Sequence, residues 1–338
     1  MPIDAPRRPD QGTGIWLGML VLYLVWGSTY LGIAVAVETI PPFLMAGLRF
    51  ALAGAILLAW SLARDRRAFS WPTRREWRDS AIVGGLLLGG GMGMVAYGEQ
   101  TIPSGITALL IAMMPVWVAV FGGVLLGERL PRMAIVGIAI GVVGVAVLVG
   151  PSALGGDGAL APLGLAAVIL SPICWSLGSL FASHRATLPR RPLMATSAQM
   201  LTGGTVLLVM SLATGEVAAF APGQVSSGSI AAFLYLTIIG SLLAFTTYGW
   251  LLRKAPLPLI ATYAYVNPVV AVALGALVLH EPIEPRTLVA GAIIVAGVAL
   301  IVTARGRMAK PRPIVAATVV ATTTSESGPS PSGAPATN

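Results

Sequence analysis

The chain has 338 residues, 56% of them apolar and only 10% charged, which excludes a water-soluble domain built round a single core. A net charge of +8 invites a nucleic-acid partner, but the basic residues sit between apolar stretches rather than on one basic surface, which argues against that class. The single cysteine, Cys174, falls within an apolar stretch and rules out an intramolecular disulfide.

Residues 1–12 are polar and are expected to form a disordered tail. Arg7 and Arg8 precede the first apolar stretch, yet that stretch is too long for a secretory signal and no small-residue cleavage site follows. Ten stretches then match, or nearly match, the length that crosses a bilayer: 15–37, 43–62, 81–97, 104–126, 134–149, 163–181, 194–213, 230–252, 259–279 and 288–303. Residues 305–338 are rich in Pro, Ser and Thr and read as a second disordered tail. Nineteen of the 21 basic residues fall in segments that share one face of the membrane; Arg49, inside a span, and Arg286 are the exceptions. The positive-inside rule then puts both termini in the cytoplasm.

The spans divide into two halves, 13–150 and 160–304. Pro115 is followed thirteen positions later by Glu128, and Pro268 by Glu281, at a common offset of 153 residues. Trp26-Gly27-Ser28 is matched by Trp175 with Gly178-Ser179 at an offset of 149. Five spans per half force the second half to insert upside down. The expected fold is therefore an all-helical membrane protein with ten transmembrane helices in two inverted five-helix repeats. Gly85, Gly89 and Gly93, like Gly137 and Gly141, recur every four residues and point to close helix packing, or else to a sliding surface for conformational change.

Arg49 is the most expensive residue in the chain, since an arginine near a helix centre costs about 2.5–3.5 kcal/mol on insertion scales. It is expected to pair with Glu99 or Glu38, or else to bind a substrate carboxylate or form a gate. Trp26, Trp117 and Trp175 lie near mid-span, away from the interfacial positions taken by Trp16, Trp60 and Trp250, and are candidates for core packing or for a cavity wall. Tyr263, Tyr265 and Asn267 precede Pro268, which frees the Ala264 carbonyl, and Pro115 disturbs the fourth span in the same way. These kinks suggest a midplane site. Gln199 stands next to the repeat-equivalent of Arg49 and is read as its neutral counterpart. Glu128 and Glu281 end their spans on opposite faces, where a carboxylate opposes the helix dipole. Loop anchoring compensated by Arg129 and Arg132, or by Arg286, is the first reading, and a gate the second. With Pro115, Pro268 and Glu99 they make up the hinge and gate candidates.

Enzyme signatures are absent or misplaced. Gly91-Met92-Gly93-Met94-Val95-Ala96 fits a dinucleotide pattern but lies inside a membrane helix with no preceding strand. His280-Glu281 cannot become a zinc motif, because Glu284 occupies the second histidine position. No P-loop occurs, and no catalytic residue, metal site or cofactor is expected.

Trp26-Gly27-Ser28-Thr29-Tyr30, Pro41-Pro42 through Arg49-Phe50, Ile102-Pro103-Ser104-Gly105, Gly127-Glu128 and the run from Tyr263 to Val270 resemble the ten-helix drug/metabolite transporters built from two EamA domains. The similarity runs from about residue 15 to 303 and is strongest to the YedA-like branch. It implies an inverted-repeat fold, alternating access and export of small metabolites, amino acids among them, in the bacterial inner membrane. Trp26, Ser28, Tyr30, Arg49, Trp117, Trp175, Ser179, Gln199, Tyr263, Tyr265 and Asn267 then become candidate cavity residues for a small neutral or zwitterionic substrate. Four-helix relatives couple transport to protons through a first-helix glutamate, which the first span lacks. Proton coupling is thus left to Glu99 or another end carboxylate. A membrane-embedded enzyme acting on lipid-linked substrates and a passive channel are the alternatives.

Overall fold

The computed structural model describes residues 10–64, 70–128, 130–150, 161–255, 257–260 and 262–308. The tail positions 1–9 and 309–338, and Arg129, lie outside the described residues. Ten membrane-length or near-membrane-length helices follow one another: α1 (Asp10–Val37), α2 (Pro42–Arg64), α3 (Arg74–Gly98), α4 (Ser104–Leu126), α5 (Arg132–Val149), α6 (Pro162–His184), α7 (Pro192–Ala213), α8 (Ser227–Tyr248, its last turns running to Lys254), α9 (Tyr263–Val278) and α10 (Pro285–Met308). Among the described residues nine are long and apolar enough to cross a membrane, and the sixteen-residue α9 is a shorter apolar helix led in by a single turn at Leu257–Ile260. Helix begins at Asp10 and persists to Met308, so the helical part extends several residues into both expected tails.

The outer surface fits a lipid solvent. Leu17, Leu24, Leu52, Val124, Leu163 and Leu277 are exposed although no water-soluble surface would favour them, and Trp16 and Trp60 stand exposed near helix ends. One end of the bundle carries Glu38, Glu99, Glu216 and Glu281; the other carries most of the arginines. At the arginine-rich end Thr73 and Glu76 form a capping box that starts α3, and Asp79 Oδ2 accepts the Thr187 N–H at 2.7 Å, tying α3 to the turn between α6 and α7.

The pairing of helices repeats when the halves are exchanged. α2 packs on α7, α5 on α10 and α4 on α9, each on its own equivalent, while α1 packs on α8 and α9 as α6 packs on α3 and α4. Glycine permits the tightest of these approaches. A Cβ on Gly297 would lie 2.7 Å from the Gly137 carbonyl oxygen, and one on Gly137 would lie 2.7 Å from that of Gly297. Gly89 and Gly93 of α3 meet Val206 and Leu207 of α7 in the same manner, so both glycine rows serve packing.

Two local departures from α-geometry also repeat. Gly85–Gly93 in α3 and Leu236–Leu243 in α8 are π-helical, a geometry that widens the turn and frequently marks functional positions. The thirteen-residue interval has a structural meaning as well. α4 and α9 both end in a left-handed residue, Gly127 at φ 67° and His280 at φ 54°, after which the N–H of Glu128 bonds Gly122 O and that of Glu281 bonds Gly275 O, each at 3.1 Å.

Past that cap the Glu281 carboxylate crosses to the start of α4, where Oε1 accepts the Ser104 N–H at 2.7 Å and Oε2 accepts the Gly105 N–H at 3.2 Å. Glu216 does the same at the start of α2, with Oε2 on the Leu44 N–H at 2.9 Å and Oε1 on the Phe43 N–H at 3.3 Å. Unsatisfied amides and the positive end of a helix dipole make such N-termini favourable seats for a carboxylate. Glu281 therefore finds its compensation in backbone donors rather than in the expected cation, and Arg286 lies 3.7 Å from Glu284. Both ties join the second half of the chain to the first at the acidic end.

Gly297→Leu is expected to force α5 and α10 apart at a cost of roughly 1–3 kcal/mol. Thermal unfolding of the detergent-purified protein should show a lowered midpoint, while Gly223→Ala, with nothing within 4 Å of the added carbon, should leave it unchanged.

Candidate functional site

A cavity of about 110 Å³ lies where α1, α2, α3, α4, α6, α8 and α9 converge. α1 presents Trp26, Thr29, Tyr30 and Ile33, one face at the i, i+3, i+4, i+7 spacing of a helix. From α9 come Tyr263, Ala264, Asn267 and Pro268, and from α4 Ala108, Ile111, Ala112 and Pro115. The walls are mostly apolar and aromatic, with few polar groups, as small-molecule sites are usually built.

Three prolines on three helices border this space: Pro115, Pro172 and Pro268. Each lacks an N–H, so the carbonyls of Ile111, Val168 and Ala264 lose their helical donors. α4 responds most strongly and breaks into Ser104–Ile111 and Met114–Leu126. Ser176 Oγ donates to the Met114 carbonyl at 3.1 Å, which braces the break from α6. The Asn267 Oδ1 is buried without a hydrogen-bond partner and belongs to a cavity-lining side chain.

Arg49 is the charged member of the wall and is only 2% exposed. Its Nε donates to Ser241 Oγ at 2.9 Å, and its guanidinium carbon lies 4.8 Å from the Phe50 ring centre. Ser241 belongs to the π-helical part of α8, whose neighbour Gly240 leaves room for the guanidinium: a Cβ there would lie 3.2 Å from an Arg49 terminal nitrogen. The expected pair with Glu99 or Glu38 does not form. Among the described residues no carboxylate lies within ion-pair distance of Arg49, because the side chain turns across the bundle to α8 and leaves Glu99 beyond its reach.

Trp26 anchors the aromatic part of the wall. Its ring lies 4.9 Å from Tyr263, 5.2 Å from Tyr248 and 5.7 Å from Phe245, edge-on or tilted in each case. Across the cavity Trp175 rests on the π-helical part of α3, where a Cβ on Gly91 would come within 2.9 Å of the indole.

Six of the eleven cavity candidates therefore meet: Trp26, Tyr30, Arg49, Trp175, Tyr263 and Asn267, with Pro115 and Pro268 beside them. Five do not. Ser28 turns to Tyr235 on α8, being two positions round the helix from Trp26. Trp117 stacks on Phe121 at 5.8 Å and packs in the cluster beneath α10, two positions from Pro115. Tyr265 is likewise two positions from Tyr263 and joins that cluster. Ser179 lies a turn past the last cavity residue of α6, and Gln199 lies against α3, its carbonyl oxygen where a Gly84 Cβ would collide with it. Thr29 and Pro172 were within reach of sequence reasoning, by helical spacing from Trp26 and as a third mid-span proline. Ser241 carried no signal. Among the described residues, no three His, Cys, Asp or Glu side chains gather as a metal site.

Comparisons with known proteins agree with this architecture. The EamA-like transporter family matches twice, over residues 13–150 and 162–303. The uncharacterized inner membrane transporter YedA of Escherichia coli K12 is 40% identical over 76% of this chain and 80% of its own length. The uncharacterized transporter YvbV of Bacillus subtilis is 26% identical over 87% of this chain and 93% of its own. A protein of Salmonella typhimurium named a probable amino-acid metabolite efflux pump is 25% identical over 82% of this chain and 91% of its own. One crystal structure superposes with a TM-score of 0.59 at 22% identity, covering 88% of this chain and 99% of the other, a likeness of fold alone. The chain is an integral membrane protein that belongs to the EamA-like transporter family, a family of transporters and not of enzymes.

Proposed function

We propose that this protein exports a small zwitterionic metabolite, an amino acid or similar, by alternating access through the cavity, with both termini in the cytoplasm and the acidic end outward. The observation that carries the reading is Arg49. A buried guanidinium that spends one donor on a hydroxyl and meets no carboxylate among the described residues has donors left for a planar anion. A substrate carboxylate supplies what the fold withholds. A substrate ammonium finds matching partners in the unpaired Asn267 Oδ1, in the carbonyls released by Pro115 and Pro268, and in the faces of Trp26 and Tyr263. The name of the Salmonella relative supports the same class of substrate. A cavity of about 110 Å³ favours a small molecule, since drug-sized ligands occupy roughly 300–1,000 Å³.

Efflux from proteoliposomes loaded with a panel of amino acids, amines and neutral metabolites tests this. Carboxylate-bearing compounds should be carried, and Arg49→Gln should lower their apparent affinity roughly 10- to 100-fold, the worth of about 1.5–3 kcal/mol for a charge-assisted hydrogen bond. Arg49→Lys should recover part of the loss. Unaltered kinetics in Arg49→Gln at normal protein abundance would falsify the assignment. In the same assay Trp26→Ala should broaden selectivity toward bulkier side chains, because it opens the aromatic wall, and an unchanged substrate profile would count against a lining role for Trp26.

A further inference from the structure

Glu99 stands one residue past the end of α3, at the acidic end, and is 7% exposed. Both of its carboxylate oxygens are buried without a hydrogen-bond partner. Its neighbours at that end differ, since Glu216 and Glu281 each hold two backbone N–H groups. A carboxylate taken out of water with no donor is costly as an anion, and a proton is the compensation that requires no partner.

Two groups act on it electrically: the carboxylate of Glu281, already seated on α4, and Tyr30, part of the cavity wall. Burial, and after it the Glu281 carboxylate, holds the Glu99 carboxyl well above the usual carboxylate range. Among the described residues no cation pairs with it to offset this. The part of α6 at that end has no charged residue among the described residues, α2 contributes Arg49, which is turned to Ser241, and Glu38 follows the end of α1. On either side of Glu281 in the chain stand His280 and Arg286, the latter 3.7 Å from Glu284. Below the Glu281 tie, the hydroxyls of Ser104 and Thr107, one turn apart on α4, are also buried without partners.

We propose that Glu99 is the site at which this transporter binds its coupling proton, and that loss of the proton releases the Glu281 tie on α4; this rests on the transport reading above. With Glu99 neutral, Glu281 keeps the Ser104 and Gly105 amides and the acidic end stays closed. When the proton leaves toward the cavity, past Tyr30, two carboxylates face each other with little water between them. Glu281 then withdraws, freeing the start of α4. A proton arriving from outside restores the neutral form and the closure, so one proton enters as substrate leaves, and nothing is oxidised or reduced.

The test needs no substrate. Thr107, 0% exposed beneath the tie, is replaced in a Cys174→Ala, Thr107→Cys protein, and labelling by a membrane-impermeant maleimide is followed over a pH series. The rate is divided by that of the same protein carrying Glu99→Gln, which removes the thiol's own ionisation. The ratio is expected to rise several-fold with pH; a flat ratio overturns the proposal, as does a ratio set by sodium against choline rather than by pH. Infrared spectra at neutral pH should contain a protonated-carboxyl band that Glu99→Gln removes, and its absence overturns the proposal too. Should Glu99→Gln fail to fold, Glu99→Asp is expected to move the midpoint of the labelling profile, and an unmoved midpoint is the refuting result. pH-gated labelling with no flux from the substrate panel sinks the substrate reading alone; flux with ungated labelling sinks only the Glu99 assignment.

Discussion

A guanidinium inside a hydrocarbon slab, held by a single serine hydroxyl, constrains everything built round it. Water is the ordinary solvent of such a charge, and lipid cannot replace it, so the bundle must close over Arg49 on all sides and still leave its remaining donors a polar space to face. The π-helical stretch of α8 brings Ser241 and the slim Gly240 against Arg49, and the same widened turn in α3 brings Gly91 under Trp175. Close glycine contacts in the α2–α7 and α5–α10 pairs hold the flanks rigid enough for that space to persist between them.

The two halves share a plan but divide the chemistry. The first half supplies the cation, since Arg49 has the apolar Ala198 as its repeat-equivalent, while the second supplies the unpaired amide of Asn267, and the aromatic wall is shared equally between them. A twofold scaffold therefore frames a site with a cationic donor on one side and an unpaired acceptor on the other, which suits a ligand polar at both ends. At the acidic end, two carboxylates of the second half seat on helix starts of the first, so the halves are fastened there by bonds to backbone amides.

Much of this was legible in the chain because it depends on local rules. Span lengths, the odd number per half and the proline-to-glutamate interval follow from helix rise, membrane thickness and backbone capping, all of which act within a few residues. The facing of Trp26 was legible for the same reason, its neighbours at helical spacing being Thr29, Tyr30 and Ile33. Trp117 misled because depth in the span, not facing, was its signal: two positions from Pro115 on the same segment, it points away from the cavity. The partner of Arg49 could not be read at all: Ser241 is 192 residues away on a turn of unusual pitch, where no periodic rule reaches. Nor could the donors of Glu281, which are backbone groups that any sequence would provide.

The left-handed caps that end α4 and α9 are alike in shape but not in composition. Gly127 adopts its conformation without steric penalty, whereas His280, carrying a Cβ, bears about 1–2 kcal/mol for the same turn. A strained turn persists only where its surroundings over-determine it, and the bonds from Glu281 to the start of α4 supply that hold on the very next residue, whereas Gly127 needs none, so the two copies of one cap have come to rest on different supports.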